Sequence, residues 1–153
     1  MNITAALARI HRLYIETAPL IYYVEENPTY IAKMDVVIDT VEAVPITAVS
    51  SVIVLTEVLP QPIKLANTTL EQEYRNILLH SGGFELLPVT AQIAEAAADL
   101  RARYNLRTPD AIHIATAITA GCDAFLTNDA GVKRVTEIAV IILGELELDQ
   151  PKA

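Results

Sequence analysis

The chain has 153 residues, enough for one ordinary domain and short for two. Hydrophobic residues make up 52% of it, yet its longest apolar runs (36–38, 111–120 and 139–143) fall well short of the ~20 residues that cross a bilayer, so no membrane span is expected. The net charge of −8 argues against a general nucleic-acid binder, because phosphate contacts demand clustered bases. Distribution qualifies that: Arg101, Arg103, Arg107, Lys133 and Arg134, five of eleven bases, flank the acids Asp110 and Asp129.

The first nine residues lack the basic start, apolar core and small-residue cleavage site of a secretion signal. The single Cys122 excludes an internal disulfide and suits a reducing, cytoplasmic home. Lying beside an apolar run, Cys122 reads as a small core residue and not as a nucleophile.

A strand is expected over 11–16, with Leu13 and Ile15 on one face and Arg12, Tyr14 and Glu16 on the other. Thr17-Ala18-Pro19 then opens a helix that stops near Asn27-Pro28, with Thr17 as its cap. Pro28 starts a second helix, in which Ile31, Met34, Val37, Ile38 and Val41 recur at helical spacing. A strand over 46–49 follows, and Ser50 and Ser51 start a helix that carries Glu57 and ends before Pro60. Pro62 breaks the chain again.

A helix over 67–79 ends at Gly82-Gly83, and 84–87 is a strand. Thr90 caps an alanine-rich helix over 91–104. Thr108-Pro109-Asp110 opens another helix, which Gly121 stops. The remaining elements are a strand over 123–127, a turn with a short helix over 128–134 and a strand over 137–143. A loose acidic tail runs from 144 to 153. Strands alternate with helical stretches too long for hairpins, so a single domain over 1–153 with its core at 11–143 is expected. Its fold class is α/β, a three-layer α/β/α sandwich around a parallel sheet.

In such sheets ligands bind at the carboxyl ends of the strands, where strand order reverses. Glu16 closes the first strand, Asp129 follows the 123–127 strand by two residues, and Asp110 lies in the first turn of its helix. Glu57 lies about two turns into a helix that is apolar almost all round, so its burial demands a partner. Singly, Asp110 reads as a helix-start acid and Asp129 as an ordinary turn residue. Converging without compensating bases, they would repel one another unless a divalent cation sat between them. An all-oxygen donor set selects Mg²⁺ or Mn²⁺ over zinc. His11, His80 and His113 are too scattered for a metal site, and His113, three residues after Asp110, reads as a packed or capping histidine.

Four segments carry a resemblance: Leu13-Tyr14-Ile15-Glu16-Thr17-Ala18-Pro19-Leu20; Ser50-Ser51-Val52 with Leu55-Thr56-Glu57-Val58-Leu59; Leu106-Arg107-Thr108-Pro109-Asp110-Ala111-Ile112-His113; and Ala124-Phe125-Leu126-Thr127-Asn128-Asp129. In their order and spacing the chain resembles PIN domains, in particular VapC-type toxins, from about residue 11 to 143. The resemblance implies a metal-dependent endoribonuclease with Glu57, Asp110 and Asp129 as metal-binding acids. Thr127 and Asn128 match the polar pair beside the last acid, and Thr17 the hydroxyl beside the first. Glu16 departs from the usual Asp by one methylene, more than the ~0.5 Å tolerance of a preorganised site.

By the same resemblance, Mg²⁺ or Mn²⁺ serves hydrolysis of RNA phosphodiesters, with Asp110, Asp129 and Glu16 as ligands and Glu57 as a ligand or water-orienting group. Arg101, Arg103, Arg107, Lys133 and Arg134 are candidates to track the RNA backbone. A small VapB-like antitoxin is the implied partner, with a homodimer equally compatible with the apolar surplus. The competing reading is a catalytically impaired PIN-like binding module. A receiver- or phosphatase-like domain is disfavoured, because the first strand ends in Glu and the last carries no Lys.

Overall fold

The computed structural model describes residues 1–149. Five strands, β1 (Arg12–Ile15), β2 (Thr47–Ser51), β3 (Phe84–Leu87), β4 (Ala124–Thr127) and β5 (Ala139–Ile142), pair in the order β3-β2-β1-β4-β5, all parallel. Parallel neighbours require crossovers, and helices supply most of them. α1 (Ile3–Leu7) precedes β1, and α2 (Thr17–Val24) and α3 (Ile31–Ala43) lead from β1 to β2. α4 (Ile53–Val58), α5 (Pro60–Lys64) and α6 (Thr68–Arg75) lead to β3, and α7 (Ala91–Tyr104) and α8 (Thr108–Thr119) lead to β4. This is the expected three-layer α/β/α sandwich.

Period-two alternation along the strands sends successive side chains into different layers. Leu13 and Ile15 of β1 join Ala124 and Leu126 of β4 in one core with Met34, Val37 and Val54. Tyr14, Val49 and Phe125 belong to a second core, with Leu100 of α7 and Ala111 and Ile114 of α8. The Tyr14 and Phe125 rings stack there with centroids 5.1 Å apart and planes 9° apart. Such a pair contributes ~0.5–1.5 kcal/mol beyond the area it buries. Cys122 packs beside this core, and burial pushes its thiol up to about 11, as befits a packing residue.

The strand over 84–87 and the Thr90-capped helix over 91–104 stand where the sequence puts them. Elsewhere the local chemistry differs from expectation. Ser50 and Ser51 end β2 instead of starting a helix: Ser50 Oγ donates to the Ile15 carbonyl at 3.1 Å, and Ser51 Oγ accepts the Ile53 amide at 3.2 Å. Glu57 therefore lies only one turn into α4. Thr17 and Thr108 are first helical residues and not caps; the caps are Glu16 and Arg107, neither of which makes a side-chain capping bond. Pro60 and Pro62 lie within α5, in a first turn whose amides have no intrahelical acceptor. α6 continues into a π-helical turn over Asn76–His80.

Two corrections concern the ends. α1 was not anticipated; Asn2 caps it by accepting the Ala5 amide at 2.8 Å. The expected loose tail is anchored through Asp149: Leu143 and Leu146 are buried, the Ile3 amide donates to the Glu147 carbonyl at 3.2 Å, and Thr4 donates to Asp149. The rest of that expected tail, 150–153, lies outside the described residues. Among the described residues no helix is long and apolar enough to cross a membrane.

The amino ends of β1 and β4 are joined by Asp123, whose carboxylate accepts the His11 and Arg12 amides at 2.8 and 3.0 Å. Those two bonds hold its pKa below the usual value. A depressed carboxylate stabilises the fold above its unfolded pKa of ~3.9, and that stability is lost as pH falls through the folded value. Asp123→Asn should therefore destabilise the protein at pH 7 by less than ~1 kcal/mol, because solvent screens the exposed carboxylate. In urea denaturation the difference from wild type should close as pH drops below 4.

Candidate active site at the strand-order switch

The chain moves outward from β1 through β2 to β3, then returns to lay β4 on the other side of β1. The crevice at the carboxyl ends of β1 and β4 is thus the topological switch point, where α/β sheets bind ligands. Glu16 follows β1 directly, Thr127 ends β4, and Asn128 and Asp129 follow it. α4 contributes Glu57, and the start of α8 contributes Arg107 and Asp110. These side chains and Thr17 line one open pocket of about 280 Å³. The four acids singled out from the sequence meet there, although they are spread over more than a hundred positions.

Each acid has a partner. Thr127, fully buried, donates to the Glu16 carboxyl, which is 8% exposed. Burial raises the Glu16 pKa; Thr127 and His113 counter that, while nearby Asp110 and Glu57 push it further up. Asp110 accepts two bonds from Arg107, at 3.0 and 3.3 Å. Asp129 accepts the Gly131 amide at 2.9 Å, and its own amide donates to Thr127 Oγ at 3.1 Å. Glu57 accepts from His113 Nε2 at 2.5 Å and from Thr17 at 3.0 Å. Burial alone would raise the Glu57 pKa, but His113, Thr17 and Arg107 together hold it below the ordinary carboxylate value.

The donor types are right for a hard divalent cation: four carboxylates and the hydroxyls of Thr17 and Thr127. Four acids against one lining arginine also leave an excess of negative charge for a cation to offset. The arrangement is less complete than the composition. Among the described residues no group of three or more His, Cys, Asp or Glu side chains is disposed to hold a metal ion. The acids share a pocket, but each is turned to a partner of its own.

The five bases do not act as a set. Arg107 lines the pocket, with its side chain 79% exposed. Arg101 donates to the Leu106 carbonyl and Arg134 to the Tyr104 and Asn105 carbonyls, so both brace the turn that leads to Arg107. Arg103 is neutralised by Asp99 and Glu137, and Lys133 by Glu145. Asn128 lines the pocket without bonding to an acid: its Oδ1 accepts the Gly144 amide at 2.8 Å, and its Nδ2 donates to the Tyr22 hydroxyl at 3.3 Å.

His113 and Tyr14 complete the site and were not singled out for it. His113 is fully buried and joins Glu57 to the Tyr14 hydroxyl, which lies 2.5 Å from Nδ1. It caps nothing. The available signal was its place one turn after Asp110 on the same helix face, behind a strand that points Tyr14 inward.

The family model for the PIN domain matches residues 13–138. The chain belongs to the PIN-domain family, whose members are nucleases and generally depend on divalent metal. No curated protein sequence matches it. Among solved structures it is similar to a toxin–antitoxin complex from Klebsiella pneumoniae, at 23% identity and a TM-score of 0.65, over 86% of this chain and 97% of that one. It is also similar to FitAcB from Neisseria gonorrhoeae, at 17% identity and 0.68, over 88% and 99%. VapBC2 from Rickettsia felis, bound to a promoter DNA fragment, matches at 17% and 0.61, over 86% and 98%. At these identities the likeness is one of fold.

Thr127→Val keeps the shape of the side chain but removes the donor to Glu16. Leaving that buried carboxyl unsatisfied should cost ~1–3 kcal/mol. Urea denaturation at pH 7 should show the loss, and Thr127→Ser should recover most of it.

Proposed function

We propose that this chain is a Mg²⁺- or Mn²⁺-dependent endoribonuclease, the toxin of a toxin–antitoxin pair. The observation that carries the reading is the meeting of Glu16, Glu57, Asp110 and Asp129, from four separate segments, in the switch-point pocket of a PIN fold. Asp110, Asp129 and Glu16 would hold the cation, with Glu57 as a further ligand or the group that orients the attacking water. When bound, the ion supplies a water of lowered pKa and stabilises charge on the leaving oxygen.

The remaining residues have positional duties. Thr127 and Thr17 fix the Glu16 and Glu57 carboxylates through the bonds described above. Arg107, with 79% of its side chain exposed, would exchange Asp110 for a substrate phosphate, which its planar fork suits. Arg101 and Arg134 hold the turn that presents it.

An antitoxin partner is supported by a groove between α2, α3 and the end of α6. Its floor has Tyr23, Val24, Ile31 and Ile77, and its rim has Glu26, Asp35 and Glu73. Such a surface suits an amphipathic helix with basic flanks. The solved toxin–antitoxin complexes of the same fold point the same way.

A catalytically impaired PIN-like module is the second reading. It is favoured by Glu16 in place of the usual Asp and by acids closed onto Thr127, His113 and Arg107. Incubation of purified protein with single-stranded RNA and Mn²⁺ separates the two. An active enzyme should cleave, and Glu57→Gln or Asp110→Asn should each lower the rate by ~10²-fold or more, the scale of losing one group that acts in the transition state. No cleavage, or cleavage by both variants as fast as by wild type, would favour the impaired module.

A further inference from the structure

Resting on the reading of Glu57 as a functional acid, we propose that His113, held from behind by Tyr14, is a positioning residue that aims the Glu57 carboxylate. A continuous chain of atoms runs from the second core to the pocket. Tyr14 Oη lies 2.5 Å from His113 Nδ1, and His113 Nε2 lies 2.5 Å from Glu57 Oε1. Exposure rises along it, from a fully buried Tyr14, through a His113 side chain at 1%, to a Glu57 side chain at 31%.

The proton arrangement follows from the groups themselves. An ionised carboxylate can only accept, so Nε2 carries the proton that faces Glu57. In the neutral ring Nδ1 is then an acceptor, and the Tyr14 hydroxyl fills it. Tyr14 thus backs the ring at Nδ1 and, with its own ring set edge-on to the imidazole at 5.7 Å and 70°, holds the ring plane. Thr17 adds a second bond to the same carboxylate oxygen at 3.0 Å. Both bonds fall on Oε1, so among the described residues Oε2 has no protein partner.

A free Glu side chain samples many rotamers, and fixing one costs conformational entropy. The Tyr14–His113 pair meets that cost during folding, before any ligand arrives. Comparable outer groups behind metal-binding side chains change metal affinity by ~10–100-fold when removed.

The test measures Mn²⁺ affinity by calorimetry and metal-free Tm for wild type, His113→Leu, His113→Gln, Tyr14→Phe and Glu57→Gln. Positioning predicts a loss of ~10-fold or more for His113→Leu, a smaller loss for Tyr14→Phe, and rescue to within about threefold of wild type by His113→Gln, whose amide can donate near the Nε2 position. Wild-type affinity in His113→Leu and Tyr14→Phe, whatever their Tm, would overturn the inference and leave the nuclease reading standing. If His113→Leu does not fold, Tyr14→Phe decides alone, by loss or retention of affinity. Failure of wild type to bind Mn²⁺ would instead remove the functional reading, and binding by Glu57→Gln equal to wild type would remove Glu57 as a ligand; either takes the positioning role with it.

Discussion

The structure is organised around a concentration of negative charge at one end of a parallel sheet. Glu16, Glu57, Asp110 and Asp129 share a pocket in which Glu16 and Asp110 are almost withdrawn from water. Burying a carboxyl is costly and like charges nearby add to that cost; the raised pKa of Glu16 records burial first, and Asp110 and Glu57 after it. The fold tolerates the concentration by giving each acid its own donor. A hydroxyl serves Glu16, an imidazole and a hydroxyl serve Glu57, a guanidinium serves Asp110 and a backbone amide serves Asp129.

These donors differ in how readily they let go. The hydroxyl of Thr127 and the ring of His113 are immobilised by burial, whereas Arg107 is largely solvated and sits on a flexible stem. The pocket therefore has two fixed walls and one movable cation. That asymmetry reconciles the two observations that stand in tension, a donor set suited to a divalent ion and an arrangement that is not yet a coordination sphere.

Much of the fold was legible because period and punctuation agree along the chain. Leu13, Tyr14 and Ile15 alternate cleanly, and the parallel sheet followed from helical spacers between strands. Three of the acids were legible because strand ends and helix starts are few and Glu16, Asp110 and Asp129 fell on them, and Glu57 because it stood alone on a helix that is otherwise almost all apolar. What escaped was tertiary. Nothing local says that Ser50 and Ser51 extend β2, since their hydroxyls find the Ile15 carbonyl and the Ile53 amide only once the sheet is assembled. His113 could be placed near Asp110 but not opposite Glu57, because that pairing joins residues from α4 and α8. The burial of Leu143 and Leu146 likewise depends on a partner segment at the other end of the chain.

Asn128 joins the strand-end turn that carries Asp129 to the segment that follows β5. Its amide oxygen holds the Gly144 backbone so closely that a methyl group on Gly144 would meet it at 3.0 Å, while its amide nitrogen reaches Tyr22 on α2. The strand-end turn of the pocket is thereby tethered to the stretch after β5, which itself bonds to Met1 and Ile3. A perturbation at residues 1–4 or 144–149 is therefore expected to reach the pocket, although neither segment supplies one of its side chains.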